Sequence, residues 1–259
     1  MKKTLAHQLA DYACALRFED LSKDVVHEVE RRVLDSLGCA IGAWKEEPCA
    51  IARKVASDFS AKRGSTIIGT NHKAPPDWTA FANGCAIRYF DYNDTYLSKE
   101  PAHPSDNISA ALAVAESVGA NGRALITAIA LAYEVQCRFC DAASIRARGW
   151  DHVTYGAFST ALACAKLMKL DPKDARHAVN IAGVAGAAMR ADYLRTIAEA
   201  GLGDIEVVDD KSFGEMALTM VPDSLLREFE AAGVDVRAVA RSVRSITVRA
   251  WKPPRPVSR

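Results

Sequence analysis

The sequence has almost no net charge, because 33 Lys and Arg residues against 32 Asp and Glu residues leave a formal charge of +1. A chain balanced in this way lacks the broad positive field that attracts nucleic acids or anionic membranes. We therefore expect no nucleic-acid partner and no membrane partner. Function has to be sought in local groups of residues.

Long hydrophobic runs are also missing. The most apolar stretch, residues 124–133, is bounded by Arg123 and Glu134 and is shorter than the roughly 20 apolar residues that cross a bilayer. Residues 1–18 carry two lysines, but polar residues at helical spacing interrupt the apolar core that a signal peptide needs. The expected location is cytoplasmic.

The cysteines do not form an obvious disulfide set. There are seven, an odd number, and they are scattered among Ala, Leu and Gly residues, so we expect reduced core residues. Cys137 and Cys140 form a CxxC motif, but no second CxxC and no nearby His complete a zinc site. The residues therefore predict no metal site.

Helical periodicity, in contrast, is abundant. Apolar residues recur at three- and four-residue intervals over residues 4–17 and 22–41, and Ser22 is the predicted N-cap of the second helix. Asp171 followed by Pro172 is a strong start signal for the last helix. The remaining helices are predicted over residues 48–61, 76–89, 108–118, 124–142, 154–168 and 172–189. With one short strand-like run at residues 65–70, this pattern predicts a mainly α, bundle-like domain.

The composition changes after Arg190. Acidic residues are dense up to about residue 235, whereas the basic residues from Arg237 onwards have no acidic residue among them. β-branched residues alternate with polar ones near residues 205–207 and 246–248, which predicts two strands on either side of a helix at 222–232. We therefore predict two domains, a helical one over residues 1–190 and a small α/β segment over residues 191–259.

A polar stretch at residues 88–107 lies between two apolar helices. It contains four polar residues within five positions and a histidine directly before a proline: Asp91, Asn93, Asp94, Thr95 and His103. Loops held between helices are frequent places for functional sites. The same residue types are also common helix caps and turn residues, so from the residues alone both interpretations stay open.

Three motifs carry a resemblance to a known family: FDYNDTY at 90–96, AHPSDN at 102–107 and GWDHVTYGAFSTALACAKLMKLD at 149–171. Residues 5–190 resemble the amino-terminal helical part of the MmgE/PrpD family. The resemblance implies an all-α large domain, a homodimer, and no metal or organic cofactor. It also implies a lyase of the 2-methylcitrate dehydratase type, which eliminates water from a small polycarboxylate.

The resemblance points to four site residues. Asp91, Thr95, His103 and His152 match positions that line the active site of the family. Eliminating water needs a base for a C–H proton and an acid for the departing hydroxide, and histidine serves either role near neutral pH.

We expect His103 and His152 to be that catalytic pair. Asp91 would orient one imidazole or stabilise its charge, and Thr95 would donate to a substrate carboxylate. Without the resemblance, His152 would be interpreted as a cap for the helix that starts near Thr154.

The last quarter of the chain departs from the family. The family continues with a Trp-Lys-Gly stretch, whose lysine belongs to the active site, and with a second domain, and neither is present here. Residues 191–252 instead resemble the carboxyl end of arsenite and related SAM-dependent methyltransferases, without their glycine-rich SAM loop or arsenic-binding cysteines. Three functions therefore stay open: a lyase, a non-catalytic fusion or truncated helical protein, and a methyltransferase-related fragment.

Overall fold

A computed structural model of the chain describes residues 3–146, 151–185, 203–212 and 244–251. The chain falls into two compact units. The first contains residues 1–146 and 151–183, and the second contains residues 147–150 and 184–259. All the site residues predicted from the sequence belong to the first unit.

The first unit is built from α-helices, which confirms the predicted mainly α fold. The described residues form eight of them: α1 Leu5–Ala15, α2 Lys23–Gly42, α3 Glu47–Ser57, α4 Pro76–Arg88, α5 Asp106–Ser117, α6 Gly122–Ala142, α7 Thr154–Leu167 and α8 Pro172–Ala185. Short 3-10 turns at Phe18–Asp20 and Ala43–Lys45 follow α1 and α2. Strand β1, Ser65–Thr66, pairs antiparallel with strand β2, Lys73–Ala74.

Side-chain caps fix several helix starts. The Ser22 hydroxyl accepts a hydrogen bond from the Val25 N–H at 3.3 Å, which confirms the predicted cap of α2. The Asp171 carboxylate accepts from the Asp174 N–H at 2.9 Å at the start of α8, as predicted. Helix α6 begins two residues earlier than expected, because the Asn121 side chain caps it by accepting from the Ala124 N–H at 3.0 Å.

Two predicted elements are shorter in the structure. Helix α3 ends at Ser57, four residues before the predicted end, and Phe59 beyond it stacks on Trp78 with ring centroids 4.5 Å apart. The strand-like run at 65–70 keeps only its first two residues, because Gly69 turns with a φ of 78°. A Cβ at Gly69 would lie 2.5 Å from the Trp44 ring, so only glycine fits this turn.

Helix α6 runs through the centre of the core. Ile129 and Leu131 on it are fully buried, and they join two hydrophobic clusters that include residues of α1, α2, α5 and α7. Many of the buried residues on these helices are alanines, which let helix backbones approach closely. The ends of α4, α5, α6 and α7 are thereby held in fixed relation to one another.

The second unit is described only in two strands. Strand β3, Gly203–Ser212, pairs antiparallel with strand β4, Arg244–Trp251, and the register shifts between Gly203 and Glu206 and again between Val207 and Asp209. The two strands predicted from the sequence are therefore confirmed. The predicted helix at 222–232 and the predicted boundary near residue 190 lie outside the described residues and stay predictions.

Among the helices of the described residues, none is both long enough and apolar enough to cross a membrane.

Candidate active site

The loop between α4 and α5 folds back on itself. Tyr96 and Ala102 form an isolated antiparallel bridge, with N–H to carbonyl distances of 2.8 and 3.0 Å. This bridge brings His103 beside Asp94, nine residues earlier in the chain. The predicted site residues Asp91, Thr95 and His103 are consequently neighbours in space as well as in sequence.

The His103 ring is oriented by a backbone carbonyl. Its Nδ1 lies 2.8 Å from the Asp94 carbonyl oxygen. A carbonyl can only accept, so Nδ1 carries the proton and donates it, and in the neutral ring Nε2 is the basic nitrogen. The Thr95 hydroxyl oxygen lies 3.5 Å from the same Nδ1, which leaves its own proton available to a ligand.

Asp91 lies next to this ring with an unusual backbone conformation. Its φ is 56°, in the left-handed region that Asp and Asn tolerate better than most residues. Its carboxylate lies 3.9 Å from His103 Nε2 and 2.9 Å from Arg88 Nη2. The predicted proximity of Asp91 and His103 is thus present, as an ion-pair distance and not as a hydrogen bond.

Arg88 is a residue that sequence reasoning missed. Besides Asp91, its guanidinium contacts the Asp106 carboxylate at 3.0 Å through Nε and the Asn93 side-chain oxygen through Nη1. Burial raises the pKa of the Asp106 carboxyl, and the positive charges of Arg88 and His103 partly offset this rise. Arg88 therefore ties the end of α4 to the loop and to the start of α5.

His152 approaches from the start of α7. Its ring and that of His103 have centroids 6.1 Å apart and planes inclined at 63°. Its Nδ1 lies 3.1 Å from the Asp151 carboxylate, which also accepts from the Val153 N–H at 3.0 Å. The N-cap residue of α7, Val153, makes no side-chain cap hydrogen bond, and the Thr154 N–H donates to the Asp151 carbonyl at 3.1 Å. The alternative interpretation of His152 as a helix cap stays open.

The two imidazoles form a pair, each beside a carboxylate. A small ligand lying against both rings can exchange one proton with each, which is the requirement for coupled acid and base catalysis. His103 is about one fifth exposed and His152 about one third exposed, by side-chain exposures of 19% and 30%. Solvent or a ligand can therefore reach both rings.

A cleft of about 410 Å³ opens beside the same loop. It is lined by Asp94, Thr95 and Pro104 of the loop and by residues of α2 and α6, and neither His103 nor His152 lines it. Its size falls within the range of about 300–1,000 Å³ usual for ligand pockets. Thr95 is the predicted site residue that both lines this cleft and contacts His103.

Cys137 lines this cleft, but the state of the thiols gives the cysteines no chemical role in it. All seven are free, with Cys49 and Cys140 buried. Burial raises the pKa of the Cys137 thiol to about 12 and that of the Cys140 thiol to about 11, so both thiols are protonated at neutral pH. A thiol in this state is a poor nucleophile and a poor metal ligand.

The fold and the candidate site together define a class: a mainly helical protein in which two histidine rings lie close together, each beside a carboxylate. Residues 7–199 match the MmgE/PrpD N-terminal domain. The chain belongs to the MmgE/PrpD family.

Curated relatives agree with this assignment. The chain is 32% identical over 171 residues to a probable 2-methylcitrate dehydratase of Saccharomyces cerevisiae, covering 61% of this chain and 33% of the relative. It is 29% identical over 193 residues to 2-methylcitrate dehydratase of Escherichia coli, covering 70% of this chain and 40% of the relative. It is 31% identical over 210 residues to alkylcitrate dehydratase phiI of Talaromyces stipitatus, covering 72% of this chain and 44% of the relative. The matches thus span between a third and less than half of the relatives' length.

Proposed function

We propose that the chain carries the histidine site of a lyase that eliminates water from a small hydroxy-polycarboxylate of the 2-methylcitrate type. The observation that carries the proposal is the pairing of His103 and His152, with ring centroids 6.1 Å apart. The printed names of the relatives, 2-methylcitrate dehydratase and alkylcitrate dehydratase, support the choice of substrate class.

In the proposed reaction, one imidazole removes a proton from the carbon next to a substrate carboxylate. The electron pair left behind forms the carbon–carbon double bond as the hydroxyl leaves, and the second imidazole gives a proton to that hydroxyl to release water. Asp91 and Asp151 lie beside the rings and stabilise the positive charge that forms on whichever imidazole accepts the proton.

Thr95 has a binding role in this proposal. Because His103 Nδ1–H already donates to the Asp94 carbonyl, the Thr95 hydroxyl can give its proton to a substrate carboxylate. The proposal includes no metal and no organic cofactor, and it includes a cytoplasmic homodimer. Sedimentation equilibrium of the purified chain tests the dimer directly.

The test is a dehydration assay that follows the ultraviolet absorbance of the unsaturated product. His103→Gln and His152→Gln are each expected to lower kcat by at least about 100-fold, since a positioned acid or base contributes about 10² to 10⁴. His27→Gln is the control, because His27 is exposed on α2 and does not line the cleft beside the loop. Equal turnover by the wild type and His103→Gln overturns the assigned roles.

A second candidate is a non-catalytic helical protein, which the missing Trp-Lys-Gly lysine favours. A substrate with several carboxylates needs positively charged side chains in its binding site. Arg88 already forms ion pairs with Asp91 and Asp106, so its charge is not free for a substrate. A wild-type chain that binds 2-methylcitrate without turning it over would favour this candidate. The methyltransferase-like origin of the tail stays a prediction, and a binding titration with SAM tests it.

A further inference from the structure

Glu100 is fully buried in a loop segment whose preceding residues, 97–99, are exposed. One carboxylate oxygen, Oε2, accepts three hydrogen bonds: from the Ser144 hydroxyl at 2.7 Å, from the Ile145 N–H at 2.8 Å and from the Arg146 N–H at 3.1 Å. The other oxygen forms an ion pair with Arg146 Nε at 2.5 Å. All of these partners follow the end of α6.

The position of Glu100 connects the two histidine-bearing segments. Glu100 lies three residues before His103, and Ala102 between them is bridged to Tyr96 in the same loop. The segment that its carboxylate holds, residues 144–146, lies six residues before His152 at its nearer end. The Glu100 N–H adds a further link by donating to the Cys140 carbonyl at 3.1 Å.

We propose that Glu100 is a positioning residue that sets the distance and angle between the His103 and His152 rings. Its carboxylate holds residues 144–146, which precede His152, against the loop segment that precedes His103. The expected effect of Glu100 on kcat rests on the proposed function, whereas its expected effect on the arrangement of the two rings does not.

A carboxylate is the side chain suited to this task. Two backbone N–H groups and a hydroxyl donate to one oxygen, and the Arg146 guanidinium forms an ion pair with the other, so an ionised group that only accepts fits these partners. Burial is the largest single influence and raises the pKa of Glu100, but the bonds from Ser144, Arg146 and Ile145 together with the Arg146 charge outweigh it and hold the pKa below its usual value. Glu100 is therefore ionised at neutral pH.

Glu100 is not placed to act on a substrate itself. Its side chain has no exposed surface, and both of its oxygens are already occupied by groups of residues 144–146. A catalytic carboxylate would need an oxygen that faces the ligand. Its influence on the reaction therefore passes through the two histidines.

The test compares Glu100→Gln with Asp141→Asn. Gln has nearly the size of Glu, but its amide nitrogen is a donor and would face the donor groups of residues 144–146. Some of the contacts that hold this segment are therefore lost. Asp141 is a matched control because its carboxylate also joins α6 to this loop, accepting from the Tyr96 hydroxyl at 2.8 Å and the Ser98 hydroxyl at 2.6 Å, without touching residues 144–146.

The first readout is the NMR cross-relaxation between the ring protons of His103 and His152, assigned with the two His→Gln variants. The cross-peak is expected in the wild type and in Asp141→Asn, and it is expected to be lost in Glu100→Gln. Ser144→Ala removes a single hydrogen bond to Glu100 and should weaken the cross-peak. This variant keeps the test available if Glu100→Gln does not fold. A wild-type cross-peak in either Glu100→Gln or Ser144→Ala overturns the inference.

The second readout is kinetic. Misplacing a catalytic group by about 1 Å can cost about 100-fold, so Glu100→Gln is expected to lower kcat by about 10- to 100-fold with little change in KM. If the wild-type chain is inactive and Glu100→Gln still loses the cross-peak, the proposed function is refuted and the positioning inference stands. An active wild type with an equally active Glu100→Gln overturns the inference alone.

Discussion

Asp91 combines a backbone requirement with a charge, and the two can be separated by mutation. Its φ of 56° suits Asp, Asn and Gly, whereas a β-branched residue there is strained. Its carboxylate contacts both Arg88 and His103. The side chain is 66% exposed, so the Arg88–Asp91 ion pair contributes little to stability.

Asp91→Asn is therefore expected to fold as the wild type does and to lose activity. The neutral amide keeps the backbone conformation but removes the negative charge next to His103, so kcat should fall while Tm changes little. Asp91→Val serves as the contrast, with an expected loss of about 1–3 kcal/mol of stability from backbone strain. Asp91→Asn with undiminished kcat would show that the charge has no role.

The sequence identified some of these residues and missed others for a physical reason. Asp91, Thr95 and His103 stand close together in one polar loop, and the motif around His152 carries the family resemblance. Glu100 gives no local signal, because its partners Ser144 and Arg146 are more than 40 residues away. Arg88 was not singled out from the sequence, because only the folded loop brings Asp106, 18 residues later, to it.

At the scale of the elements, Asn107 joins three helices through one buried amide. Its nitrogen donates to the Pro104 carbonyl at 2.8 Å and to the Gln136 side chain of α6 at 2.5 Å. Its oxygen accepts from the hydroxyls of Ser159 at 2.8 Å and Thr160 at 2.6 Å, both on α7. The side chain is fully buried, so none of these groups can turn to water instead.

Asn107→Ala is expected to destabilise the protein by about 1–3 kcal/mol, because it leaves the Gln136 and Ser159 side chains buried without their partner. Urea unfolding followed by circular dichroism measures the change. Asn180→Ala on the exposed side of α8 is the control and should change stability by less than about 0.5 kcal/mol. A midpoint for Asn107→Ala equal to that of the wild type would contradict a stabilising role for the network.

Glu116 at the end of α5 holds the β1–β2 hairpin. Its carboxylate accepts from the Thr66 N–H at 2.6 Å and the Thr66 hydroxyl at 2.7 Å, and it pairs with Lys73 at 2.9 Å. Burial is the largest single influence and raises the pKa of Glu116, but the Thr66 and Lys73 contacts outweigh it and hold the pKa below the ordinary value of 4.5.

A depressed carboxyl pKa contributes stability above the ordinary pKa, and this contribution is lost as the pH falls through the folded-state value. Glu116→Gln should therefore have a lower Tm than the wild type at neutral pH, and the difference should shrink below pH 4.5. Thermal unfolding between neutral and acidic pH measures this. Glu30→Gln, which removes an exposed carboxylate of α2 that makes no ion pair within the described residues, should show no such convergence. A Tm difference for Glu116→Gln that stays constant with pH would refute the assignment.

The elements themselves were predicted with uneven success. Residues 154–167 and 76–88 follow their apolar periodicity closely, and the caps at Ser22 and Asp171 confirm the expected helix starts. The Tyr96–Ala102 bridge in the loop between α4 and α5 was not predicted, because Ser98 and Pro101 between them indicate a turn but do not specify which residues pair across it. Pairing of this kind depends on the packing of α5 and α6 around the loop and not on local sequence.

At the scale of the whole molecule, His103 and His152 lie side by side in a chain that spans less than half the length of the curated relatives it matches. The matched relatives are covered over 33%, 40% and 44% of their own chains. Asp91, Thr95, His103 and His152 all lie in the first compact unit, so the geometry of the pair does not depend on the second unit being a methyltransferase-like segment. Whether the pair suffices to hold a polycarboxylate is the central question.

Thermal unfolding of the full chain with and without 2-methylcitrate tests this claim most directly. A ligand at a hundred times its dissociation constant adds about 2.7 kcal/mol, and in a protein of this size each kcal/mol raises Tm by about 2–4 °C. We predict a rise of that order for the wild type, a much smaller rise for His103→Gln, and none with SAM. A wild-type transition that 2-methylcitrate leaves unchanged, or one that rises equally in His103→Gln, would contradict the proposed site.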